Sequence, residues 1–443
     1  MRYIKSYSNT TDLRTDLDYG KLDHPYVAKI NDTIDFDSIG TNWENEYFTI
    51  IALTDGTISY SHKNGSNPMF FSINESEWIE TTVSLDIPVF KNDMIRFKSN
   101  RGNRAYDNNK GTFTSGGTAQ FAVAGNLMSL VAGDGFATYV PYTSATESNG
   151  DLYRSFRYFF KYCTGLISAK NLIIKYCDNY AFREFFNGCT NLLMPPELPA
   201  TTLANYCYQN MFYKCTSLTT APKLPATTLA KSCYQNMFNG CTSLTKAPKL
   251  PATTLADSCY SSMFNGTNVL PDCSNIDFAS STVVASGGLK GLFSGTKVTD
   301  NDLERLLPKN DNGRYYLPVT TLANYCYSNM FNNCASLKTA PALPATTLAN
   351  NCYDNMFYKC TSLTAAPELP VTTLAPGCYY SMFYGCTSLN YIKCLATDIS
   401  ASNCTGTWVE GVASTGTFVK NPNMSSWTTD SNGIPSGWTV IDA

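Results

Sequence analysis

Seventeen cysteines and two histidines are the side chains of this 443-residue chain best suited to covalent or metal chemistry. Most of the cysteines fall in pairs with seven residues between them: Cys207 and Cys215, Cys233 and Cys241, Cys326 and Cys334, Cys352 and Cys360, Cys378 and Cys386. A zinc site wants closer cysteine spacing or histidine partners. Both histidines, His24 and His62, precede all of these pairs, so none is at hand to activate a repeat cysteine as a nucleophile. Disulfides fare no better if each pair shares a helix, because eight residues of helical rise separate the thiols by roughly 12 Å. Equivalent cysteines of neighbouring helices are expected about 8–10 Å apart, again too far for a bridge. The expectation is therefore free thiols, buried as small apolar groups in a chain that folds under reducing conditions. Glu75 and Glu77 read as a solvated loop rather than a glycosidase pair. Gly287, Gly288 and Gly291 read as turns rather than a phosphate loop. No enzyme, cofactor or metal is expected.

The cysteine pairs are carried by a repeat. Its clearest copy spans 198–223 and opens Leu-Pro-Ala-Thr-Thr-Leu-Ala; it returns every 26 residues at Leu224 and Leu250 and, after an interruption, at Leu317, Leu343 and Leu369. Such a period predicts a stack in which no unit buries its apolar face alone. From 202 to 215 the apolar residues are Leu203, Cys207, Tyr208, Met211, Phe212 and Cys215, read here as one stripe of a three-turn helix. Thr201 or Thr202 would cap its start. Gly240, Gly266 and Gly385 suit a left-handed helix stop, with Asn333 tolerable and Lys214 and Lys359 fitting less well. The following Thr-Ser-Leu-Thr-Thr-Ala-Pro predicts one short strand per repeat, paired in parallel. The predicted fold is an α/β solenoid, one parallel strand and one helix per 26-residue repeat, preceded by a small all-β module.

The Phe-x-x-Cys-x-x-Leu core with Leu-Pro entering the next unit resembles the BspA-type leucine-rich repeats of Bacteroides-group bacteria and their phages. The resemblance covers about residues 155 to 400 and departs from that family in its longer unit and in the interruption between Gly266 and Leu317. Near the start, Ser-Tyr-Ser-Asn-Thr-Thr-Asp-Leu and Gly-Lys-Leu-Asp-His-Pro-Tyr-Val-Ala-Lys-Ile-Asn-Asp resemble the N-terminal segment of virion proteins from crAss-like phages. That resemblance implies a particle anchor including Tyr7, Pro25, Tyr26 and Val27. The stretch 408–418 and the later Gly-Ile-Pro-Ser-Gly-Trp resemble an ending common on proteins with these repeats.

Four regions follow: an anchoring segment at 1–42, a sandwich-like β module at 43–141 built of short apolar runs between turn residues, the repeats at 142–400, and a cap at 401–443 holding Trp408, Trp427 and Trp438. A short capped helix is expected at 299–308. Net charge is −3 with 15% charged residues, which offers no basic face for nucleic acid. No apolar run is long enough to span a membrane, and the first residues lack the apolar core of an export signal. Twenty-nine tyrosines exceed what the stripe uses, and tyrosine gives contact area at low entropic cost. Tyr206, Tyr213, Tyr325, Tyr358 and Tyr384, in two columns of varying residues, are the candidate recognition surface for protein or carbohydrate. The expected function is a phage virion component, a head fibre or tail-associated protein. Its N-terminus would hold other virion proteins while its repeats meet a host surface protein or glycan, as a homo-oligomer and, by analogy, a trimer. The alternative is a BspA-type bacterial cell-surface adhesin.

Overall fold

The computed structural model describes residues 43–62, 68–99, 111–113, 117–141, 152–269, 285–317 and 319–443, and the backbone of three two-residue strands before them. These are β1 (Ser6–Tyr7), β2 (Lys29–Ile30) and β3 (Thr33–Ile34); β2 pairs in parallel with β1 and antiparallel with β3. The chain divides into two compact units, 1–199 with 215–223, and 200–214 with 224–443.

The first unit contains β4 (Phe48–Ala52), β5 (Gly56–Tyr60), β6 (Met69–Ile73), β7 (Ile79–Thr81), β8 (Leu85–Val89), β9 (Met94–Ser99), β10 (Phe121–Asn126) and β11 (Leu166–Ile173). Six of them form one sheet in the order β11-β10-β4-β9-β6-β7, while β5 and β8 form a separate antiparallel pair. Alternation sends Ile95 and Phe97 of β9 into the core with Phe48, Ile50 and Phe113, leaving Arg96 and Lys98 on the other face.

The predicted helix of each repeat does not form, and the helix-per-repeat α/β solenoid is wrong. Among the described residues the longest α-helix is Asp300–Leu306, in the interruption, where Thr299 and Asp302 cap its start reciprocally. In the helix's place the chain runs through tight turns with a period of four residues. The backbone is left-handed at Tyr206, Asn210 and Lys214, with φ of 59°, 56° and 56°. The amides of Cys207, Gln209, Met211 and Tyr213 return to the carbonyl three residues back, at 3.1–3.4 Å. Those of Tyr206, Tyr208, Asn210, Phe212 and Lys214 instead donate to Lys231, Cys233, Gln235, Met237 and Asn239 of the next repeat, at 2.8–3.1 Å. An α-helix would keep every one of these bonds to itself.

The cause is visible in the apolar spacing. Leu203, Cys207, Met211 and Cys215 recur every four residues, with Tyr208 and Phe212 one step behind. On a helix advancing about 100° per residue that series would drift by roughly 120° from first to last. A four-residue turn keeps it on one side, and all six residues are buried. The same triplet of left-handed residues marks ten coils: at 154–162 and 180–188 in the first unit, and at 206–214, 232–240, 258–266, 287–295, 325–333, 351–359, 377–385 and 403–411 in the second. The interruption therefore contains a coil. Its Ser286 and Lys290 carbonyls accept from Ser258 and Ser262, and its Gly291 and Phe293 amides donate to Ser328 and Met330.

Inside the second unit, side chains of equal rank stack. Tyr208, Tyr234 and Tyr260 lie 6.0 Å apart ring to ring. Phe293, Phe331, Phe357 and Phe383 follow at 5.5–5.8 Å. The predicted strand of each repeat shrinks to single parallel bridges such as Thr321 with Thr347 and Thr339 with Ala365. Two prolines per repeat, Pro341 and Pro344 for example, remove the donors a longer ladder needs. Among the described residues of the second unit, continuous strands appear only in the parallel sheet β12 (Tyr391–Cys394), β13 (Thr417–Lys420) and β14 (Thr439–Asp442).

A left-handed residue other than glycine costs roughly 1–2 kcal/mol, less for asparagine. Asparagine holds the central left-handed position at 210, 236, 329 and 355. Asn355→Val is thus expected to destabilise the second unit by about 2 kcal/mol in urea titration, whereas on an α-helix the exchange would be nearly neutral.

Candidate recognition face

A coil of period four turns two of every four residues inward and offers the other two to solvent. Tyr206 and Tyr325 occupy the first left-handed position of their coils, with φ of 59° and 58°. Tyr213, Tyr358 and Tyr384 stand just before the third. All five lie on the outward side, half-buried except for Tyr325, which is 41% exposed. The structure brings together Tyr358 and Tyr384, whose rings stack face to face at 4.8 Å and 5°. Tyr213 lies five coils from Tyr358. Of the anchor candidates, Tyr7 lies in β1; Pro25, Tyr26 and Val27 lie outside the described residues.

Lysines are the residues missing from that candidate set. Lys214 extends over the ring of Tyr213 and Lys359 over that of Tyr358, each with its ammonium 5.4 Å from the centroid. Lys290 stands 5.2 Å from the Tyr325 ring and Lys231 6.0 Å from that of Tyr206. Two of these pairs were open to sequence reading as Phe-Tyr-Lys-Cys at 212–215 and 357–360; the other two bring residues together from different coils.

Buried polar side chains link neighbouring coils between the exposed positions. Gln209 donates to Gln235 at 2.5 Å, Ser381 and Thr407 share a hydrogen bond at 2.7 Å, and Ser328 bonds Asp354. Burial raises the Asp354 carboxyl above its ordinary range, against the Ser328 hydrogen bond that lowers it. Beside this face, Thr346, Thr347 and Leu348 with the stretch 370–375 line a shallow depression of about 490 Å³.

The cysteines face inward. Fifteen of the sixteen described are buried, Cys177 being half-buried, and all sixteen are unbridged thiols. The second thiol of a repeat donates to the phenylalanine carbonyl of the preceding coil: Cys241 to Phe212 at 3.0 Å, Cys360 to Phe331 at 3.1 Å and Cys386 to Phe357 at 3.0 Å. The expected 8–10 Å between equivalent cysteines was too large, because coils joined by backbone hydrogen bonds sit at strand spacing, about 4.8 Å. Burial pushes the thiols of Cys163, Cys259, Cys326, Cys334, Cys386 and Cys394 up to about 12. A thiol held protonated is a poor nucleophile and a poor metal ligand.

In the β module, Tyr47 donates to Asp134 at 2.6 Å and Lys98 reaches the same carboxylate at 2.8 Å, with its ammonium 4.4 Å from the Trp78 ring. Burial, then the Asp134 contact, pushes the Tyr47 phenol up to about 12. His62 lies beside Tyr60, and His24 is outside the described residues. Among the described residues no group of three or more His, Cys, Asp or Glu is placed to hold a metal ion, and no helix is long and apolar enough to cross a membrane. No protein-family model, no curated protein and no solved structure matches the chain.

Proposed function

We propose that the chain is a non-catalytic structural and recognition protein of a phage particle, held by its N-terminal segment and displaying the coil ladder to a host surface protein or glycan. The observation that carries the recognition half is the outward face of the second unit. There, tyrosine, asparagine, serine and lysine are presented on a backbone fixed every other residue to the next coil. A rigid scaffold presenting amphipathic rings and short hydrogen-bonding side chains suits binding, since little entropy is left to lose on contact. The particle half rests on the wording of the first 42 residues.

Mass spectrometry of purified particles from a Bacteroides-group host tests it. Peptides of this chain are expected at structural stoichiometry, and deletion of 1–42 is expected to leave the protein off the particle. Recovery from the bacterial outer surface alone would overturn the particle reading in favour of a cell-surface adhesin.

A further inference from the structure

Lys214 and Lys359 stand in a slot that suits them poorly. In the other coils of the second unit the third left-handed position holds Gly240, Gly266, Gly295, Asn333, Gly385 or Gly411, residues that accept this backbone easily. The two lysines adopt it nonetheless, with φ of 56° and 55°. Each follows a tyrosine and reaches over that ring. Each also has a glycine at the equivalent place in the following coil: a Cβ on Gly240 would come within 3.1 Å of Lys214 Cγ, and one on Gly385 within 3.0 Å of Lys359 Cγ. The lysine stem and the glycine that makes room for it thus occur together, twice.

We infer that these are two copies of one ligand site, Tyr213 with Lys214 and Tyr358 with Lys359, and that the ligand is a saccharide bearing carboxylates. Both lysines are exposed, and a carboxylate can accept from each ammonium while C–H groups of its pyranose pack on the edge of the adjacent phenol, one face of Tyr358 being covered by Tyr384. Asn239 beside the first pair, and Asn355 and the Tyr384 hydroxyl beside the second, are of the kind that bonds sugar hydroxyls. The copies stand five coils apart, roughly 24 Å at strand spacing, so a single acidic polysaccharide chain engages both and gains avidity. This assignment rests on the recognition reading above and gives its ligand class.

The test is binding of the full chain to oligogalacturonate. An uncharged galacto-oligosaccharide of equal length and a poly-glutamate peptide serve as comparisons. The wild type is expected to prefer the carboxylated saccharide at least tenfold over both. The double variant Lys214→Gly, Lys359→Gly is expected to lose that preference while melting no lower than the wild type, since glycine suits both positions; Lys→Arg at both sites should retain it. Equal binding of the neutral sugar, tighter binding of the peptide, or unchanged binding by the glycine variant would each overturn the inference. Adhesion to host cells by a protein that takes none of the three probes would overturn this ligand alone. Failure to adhere at all would overturn the recognition reading as well.

Discussion

Above pH 9 the protein is expected to unfold abruptly. In an unfolded chain a cysteine thiol loses its proton near pH 8.5, whereas six buried thiols here hold theirs to about 12. Below the lower value both states are protonated and stability does not respond. Between the two, the native state binds more protons than the unfolded one, so stability falls as pH rises, at about 1.4 kcal/mol per pH unit for each thiol. Five of them lie in the second unit and together remove roughly 7 kcal/mol per pH unit, against a total of about 5–15 kcal/mol for an ordinary domain. Burial shifts Tyr327, Tyr353 and Tyr379 in the same direction and adds to the effect. Circular dichroism followed from pH 7 to 11 under reducing conditions should show a cooperative loss between about pH 9 and 10.5. A signal unchanged to pH 11 would mean that the thiols are not buried as described.

Trp408→Ala should be nearly as damaging and far more local. The indole is fully buried, lies 5.7 Å from Trp427 at an interplanar angle of 10° and 6.3 Å from Tyr379, and donates to the Gly433 carbonyl at 2.8 Å. Removing a large buried aromatic costs about 3–5 kcal/mol, and the lost hydrogen bond leaves a buried carbonyl unsatisfied. In a stack whose units contact only their neighbours, such a loss frays the end next to it and leaves distant coils protected. Amide exchange should therefore accelerate from 377 onward while 206–266 stays slow. Phe331→Ala, which removes a ring stacked on Phe293 and Phe357 at 5.5 and 5.6 Å, should cost a similar amount and open the middle. Uniform exchange in both variants would show that the unit unfolds as one block.

The repeat period, the buried cysteines and the left-handed slot at Gly240, Gly266 and Gly385 were legible in the residues. The helix was the misreading, and the sequence held signs against it. Gly377 follows Pro376 inside one supposed helix, and asparagine recurs at the same central place of others; all are poor residues for a helix interior. A stripe that drifts by about 120° still fits within the broad apolar face of a buried helix, so the spacing favours the four-residue turn without excluding the helix. What decides between them is whether every second amide finds a carbonyl one repeat away, and that is a property of the stack, not of the segment. For the same reason the lysine of Phe-Tyr-Lys-Cys was read as a poor helix stop, and Lys290 above Tyr325 was not found at all.

The coils at 206–214 and 232–240 each donate the same five amides to their successor, so one 26-residue unit there is interchangeable with the next. Deleting 224–249, or copying it, leaves no coil amide without its counterpart. The number of units then sets the distance between the two tyrosine–lysine positions in steps of about 4.8 Å, without any change to either position. Reach is then set by the number of units rather than by point substitution, and adding or removing one refits the ladder to a different target spacing.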